Sequence, residues 1–163
     1  MTLGPQTARV EGREDVDTDV FFLLPANVPL KTESKTRTST GLRPDGNASS
    51  VETTQIGLIA SMQGGRALGT VLYPRLKTQK PPVFTTLAGG KAVKVETETG
   101  TDFVFLSEEP FAFKEGEFGF EGTSGSVQIR LREMVLSLGA AGSISVHGAS
   151  LTSDKPATKR IKP

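Results

Sequence analysis

The 163 residues contain no cysteine and no tryptophan, only one histidine, His147, and only one tyrosine, Tyr73. Without thiols the chain has no disulfide staple, no thiolate metal site and no cysteine nucleophile. A single imidazole rules out a self-contained zinc centre built on two or three histidines of one chain. No apolar run approaches the ~18 residues of a membrane-spanning helix, and Met1 to Arg13 lacks the basic and apolar regions of a signal peptide. Nineteen Lys and Arg against eighteen Asp and Glu leave a formal charge of +1. With so little net field, neither nucleic acid nor a membrane surface is an expected partner, and no cofactor is expected.

What the sequence does carry is a period of two. Lys91-Ala92-Val93-Lys94-Val95-Glu96-Thr97 alternates apolar and polar residues as a strand with one dry and one wet face requires. Thr101-Asp102-Phe103-Val104-Phe105-Leu106-Ser107 is apolar on both faces and predicts a central strand covered on both sides. Phe111 and Phe113, then Phe118 and Phe120, flank Lys114-Glu115-Gly116-Glu117, a hairpin pattern that would put four phenyl rings on one face. Further strands follow at Ser126–Leu131, Glu133–Leu138 and Ser143–Val146. About six strands at ~8–12-residue spacing predict an all-β fold, an antiparallel β-sandwich of two packed sheets.

Earlier segments fit the same class. Asp19–Pro25, Val51–Met62 and Arg66–Pro74 are strand patterns, the last expected to end at Pro74. Lys31–Ser50, rich in Thr, Ser and charge, predicts an exposed β-ribbon or a long loop. Lys77–Pro82 has the composition of an extended linker between two layers. The domain reading is therefore an N-terminal extension over 1–15, one sandwich over 16–151 and a basic tail over 152–163. With Lys155, Lys159, Arg160, Lys162 and two prolines, that tail is expected to be disordered or draped on the surface.

Candidate chemistry is sparse. His147 has the makings of a general base or sugar ligand, but alternation from Ile144 and Val146 puts it on the face away from the core, a solvated position. Tyr73 offers a phenolic acid or a stacking ring, against a packed ring with a wet hydroxyl. Glu108-Glu109 are adjacent acids that point apart, unlike the facing pair of a glycoside hydrolase. Asp15, Asp17 and Asp19 share a strand face but lack the glycine-punctuated loop of a calcium site, so a solvated acidic edge is expected. Gly122-Thr123-Ser124-Gly125 fails the nucleophile-elbow spacing, and Gly64-Gly65 and Gly89-Gly90 sit in turns with no helix to cradle a phosphate. Asn47-Ala48-Ser49 matches a glycosylation acceptor and carries little weight alone.

Thr54-Gln55-Ile56-Gly57-Leu58, Gly69-Thr70-Val71-Leu72-Tyr73-Pro74, Gly89-Gly90-Lys91-Ala92-Val93-Lys94-Val95, Thr101–Ser107 and Phe120-Glu121-Gly122-Thr123-Ser124-Gly125 form an ordered series of strand-and-turn patterns. Over roughly Val16 to Leu151 that series resembles the C-terminal β-domain of heparinase II/III-like polysaccharide lyases. The family's catalytic Tyr and His belong to its helical toroid and central sandwich, and no residue of this chain matches them. The resemblance implies a non-catalytic module of a glycan-degrading enzyme, placed outside the cytoplasm, that braces a neighbouring catalytic domain or subunit or extends its glycan surface. The alternative is a free-standing carbohydrate-binding or interaction domain. Lys31, Lys35, Arg37 and Arg43 in the Thr-rich ribbon, with Tyr73, are the candidate contacts to an acidic polysaccharide.

Overall fold

In the two larger sheets, successive strand residues face opposite sides, and this alternation builds three apolar cores. The computed structural model describes residues 1–12, 14–24, 28–42, 45–46, 48–62, 64 and 68–162. Pro25, Arg43, Asn47, Gly65 and Arg66, singled out in the sequence, lie outside them. The described residues form antiparallel sheets with no α-helix, an all-β sandwich.

The first sheet has the order β1 (Thr2–Leu3), β2 (Thr7–Glu11), β3 (Val16–Leu24), β6 (Gly69–Leu76). Residues 1–15 are therefore not a separate extension: Thr7–Glu11 pairs with Phe21–Asp17, and Ala8 is buried. The sequence hides this because Ala8 is the only residue of that strand sunk in the core. Nor does the strand of Tyr73 stop at Pro74, which pairs with Thr18 in mid-ladder. β6 is an edge strand, where a residue without an N–H is tolerated.

The second sheet runs β13 (Ala149–Ser153), β12 (Gly142–Val146), β10 (Phe118–Arg130), β9 (Gly100–Glu115), β8 (Ala92–Thr97), β7 (Val83–Leu87), with β11 (Glu133–Leu138) also on β10 and β14 (Ala157–Ile161) on β11. The tail expected to be disordered is thus an edge strand: Ala157–Ile161 pairs residue by residue with Leu138–Met134. Backbone pairing and the partly buried Ile161 hold it, so it needs little apolar surface of its own. Lys77–Pro82 carries the chain from the first sheet to the second, as its composition suggested.

β9 and β10 are long enough to serve two packed halves. Gly122 pairs with Phe111 and Ser124 with Leu106, so Ser107–Pro110 of β9 face a single residue of β10. This bulge shifts the alternation along β10: Phe118 and Phe120 precede it at even positions, Val127 and Ile129 follow at odd ones, and all four join one core. On the same edge of β10, Gly119–Gly122 pair with β12 and Gly125–Arg130 with β11. Phe105 sits at the centre of that core, 1% exposed and stacked on Phe120 at 4.3 Å, with Phe113 and Phe118 within 6.0 Å of it. Burying such a ring stabilises by about 1.5–3 kcal/mol.

The opposite faces of β8 and β9 present Val93, Val95, Val104 and Leu106 to the first sheet, where Phe21, Leu23, Val71 and Tyr73 meet them. Phe21 stacks on Phe84 across this interface at 5.0 Å. The central strand is covered on both sides, as its doubly apolar sequence predicted. Between β3 and β6 the chain makes the ribbon, β4 (Leu30–Leu42) and β5 (Ala48–Ala60), paired from Leu30↔Ala60 to Leu42↔Ala48. Only its base is anchored: Leu30, Leu58 and Ala60, with Val28 and Met62, pack over Ala8, Val20 and Phe22 on the outer face of the first sheet.

Candidate functional site

The structure separates the residues proposed to meet a polysaccharide. Lys31, Lys35 and Arg37 alternate along β4 and so share one ribbon face, with Glu33 between them and 3.3 Å from Lys35. Arg43 lies outside the described residues. Tyr73 is not on the ribbon; it is half-buried between the two sheets, beside a niche of about 20 Å³. That is room for about one water and not for a stacked sugar.

The acidic edge expected at Asp15, Asp17 and Asp19 is solvated only at Asp15. Asp17 and Asp19 point from β3 into the inter-sheet layer and are 7% and 6% exposed. Arg75 of β6, equally buried, reaches Asp19 through Nε at 2.7 Å and Asp17 through Nη2 at 3.3 Å. Its Nη1 donates to the carbonyls of Leu76 and Gln79, Arg9 donates to Asp19 at 2.8 Å, and the Gly12 N–H donates to Asp17. The paired strands put Asp17 opposite Arg75, which explains why the carboxylates turn inward. Nearby, Arg130 grips Asp102 with two nitrogens at 2.6 and 2.8 Å. Those hydrogen bonds hold the guanidinium above its ordinary value, against the opposing effect of burial. Among the described residues no buried side-chain polar atom lacks a partner, and no group of three His, Asp or Glu is placed to hold a metal ion. These ion pairs close one end of the inter-sheet core.

His147 and Gly148 form the two-residue turn between β12 and β13, both with positive φ, at 48° and 78°. That pair of values defines a tight hairpin turn, and histidine is among the residues that enter the left-handed region more readily. The exposed imidazole matches the solvated reading of this position, and two further strands, β13 and β14, follow it. Nδ1 of His147 lies 3.4 Å from Oε2 of Glu117, which sits in the Gly116-Glu117 turn between β9 and β10. Tyr73 and His147 therefore do not converge.

His147 and Glu117 do stand over a cleft that the sequence did not reveal. Its volume is about 530 Å³. One wall is the sheet row Thr85, Lys94 and Phe103, in direct register across β7, β8 and β9. The facing wall is the two hairpin turns, with Glu115, Glu117, Phe118 and His147. Pairing these walls depends on the bulge between β9 and β10, which no local pattern announces.

A second unanticipated feature lies on the outer face of the first sheet. The ribbon base covers the part around Ala8 and Phe22, and beyond it Val10, Val16, Leu72, Pro74 and Leu76 are exposed on the same face. The pairs Val16↔Leu76, Thr18↔Pro74 and Val20↔Leu72 make these neighbours. Leu72 is 64% exposed and Leu76 49%. The alternation Val16, Thr18, Val20 opposite Asp17, Asp19, Phe21 carried the signal, but the inward acids masked which side was wet.

No family model, curated protein or solved structure matches this chain.

Proposed function

We propose that the chain is a non-catalytic accessory β-domain, similar to the C-terminal module of a heparinase II/III-like polysaccharide-degrading enzyme. In this reading it braces a neighbouring catalytic domain or subunit. The observation that carries it is the bare apolar half of the first sheet's outer face, Val10, Val16, Leu72, Pro74 and Leu76. Contiguous exposed apolar side chains of this kind mark a surface made to be covered. Face-to-face packing suits the site, because Pro74 in the edge strand β6 discourages addition of a further strand there. Lys31, Lys35 and Arg37 on one ribbon face support a second part of the reading, an extended surface for acidic glycan.

Co-purification of the chain with the polypeptide encoded beside it in its natural gene tests the bracing role. Capture is expected for the unaltered chain and loss for Leu72→Asp with Leu76→Asp. Retention of the partner by that doubly altered chain refutes the reading. The isolated chain is expected to release no unsaturated product from uronic-acid polymers, and a clear product absorbance would overturn the non-catalytic assignment. For the glycan surface, weaker retention on a heparin column is expected after Lys31, Lys35, Arg37 and Arg43 are all changed to Ala; unchanged retention removes it.

A further inference from the structure

We infer that the cleft between the two halves of the second sheet binds a small amphiphilic cation, an apolar ring or chain carrying a protonated amine. The cleft is distinct from both the bare sheet face and the ribbon, so this inference stands apart from the accessory-domain reading.

Size and lining set the first half of the ligand's chemistry. A volume of about 530 Å³ falls within the ~300–1,000 Å³ of sites for small molecules. Leu87, Phe103, Phe118 and Ile129 give it an apolar floor. The rings of Phe103 and Phe118 are in contact, centroids 4.4 Å apart, so where the two walls meet they form one continuous apolar surface.

Charge sets the second half. Lys94 is neutralised on the spot by Glu96, with Nζ to Oε1 at 2.8 Å. The side chain of Glu115 is exposed and makes no hydrogen bond or ion pair with any described residue. Among the described residues the Glu117 side chain meets only His147, at 3.4 Å. The rim therefore sets the Glu115 and Glu117 carboxylates beside a single imidazole, over an apolar floor. A carboxylate or sulfate ligand would meet like charge at this rim. An ammonium head would complete the Glu115 carboxylate while its apolar body displaces water from the phenyl floor.

The test is an NMR titration of the whole ¹⁵N-labelled chain with phenethylammonium, beside two probes of similar shape, phenethyl alcohol and 3-phenylpropionate. Amide shifts are expected to cluster at Thr85, Lys94, Phe103, Phe118 and His147 with phenethylammonium. Glu115→Gln and Glu117→Gln, both exposed and so harmless to folding, are each expected to weaken it about twofold to fivefold, the range of a solvent-facing ion pair. Phenethyl alcohol should bind more weakly and 3-phenylpropionate weakest. Absence of clustered shifts overturns the site. Equal binding of the three probes, or no effect of either Gln variant, overturns the cationic class.

Discussion

The ribbon and the sandwich body are both antiparallel β-structure, yet they owe their order to different things. In the body, β9 is sealed on two faces: Phe105 is 1% exposed on one side, and Val104 and Leu106 meet the first sheet on the other. In the ribbon, thirteen residues of β4 pair with thirteen of β5, and every residue from Lys31 to Leu42 is exposed. Cross-strand contacts such as Thr36 to Thr54 and the backbone ladder are what the ribbon has beyond its base. A lone two-stranded hairpin is marginal in water. The comparison teaches that pairing alone draws a strand, while burial decides how much free energy rests on it.

The largest break in that comparison comes from the buried ion pairs. Arg75→Ala leaves Asp17 and Asp19 in the inter-sheet layer without their main partner, and a loss of about 3–5 kcal/mol is expected in urea denaturation. A loss below ~1 kcal/mol would mean that the carboxylates reach water. Next, Gly125→Ala places a methyl group 2.9 Å from Phe120 and 3.0 Å from the Ser137 carbonyl. Overpacking of this sort costs about 1–3 kcal/mol, to be read from the same curve.

The ribbon should answer more mildly. Replacing residues 33–57 by Asn-Gly joins the directly opposed Thr32 and Leu58 and keeps Leu30, Leu58 and Ala60 on the first sheet. The thermal midpoint is expected to move by less than about 4 °C, since roughly 1 kcal/mol shifts a domain of this size by 2–4 °C. Collapse of the fold would show that the arm supports the body. Smallest of all, Thr36→Ala is expected to change stability by under ~0.5 kcal/mol, and its ribbon amides should exchange with deuterium faster than those of β8–β10.

The legible parts of the fold were those whose signal is local. Val93 and Val95 against Lys94 and Glu96, the phenylalanine hairpin about Gly116, and the Thr-rich ribbon all follow from period two and turn chemistry. What stayed hidden depends on partners far along the chain. Asp17 and Asp19 look like a wet edge until Arg75 stands beside them, 58 and 56 residues on. Ala157–Ile161 has too little apolar surface to announce itself and is ordered by the ladder with β11. The cleft exists because a bulge brings Glu117 and Phe118 over Lys94 and Phe103, and neither side carries a mark of the other. Of the candidate polysaccharide contacts, the shared face of Lys31, Lys35 and Arg37 could be read from alternation, whereas the inter-sheet position of Tyr73 could not.

Prolines at the margins have one more consequence. Pro74 interrupts the outer edge of the first sheet, and Pro81-Pro82 lead into β7 at the margin of the second. Pro74 thus removes one donor from the exposed edge of β6, so an incoming chain finds that row of donors broken and edge-to-edge addition there is discouraged.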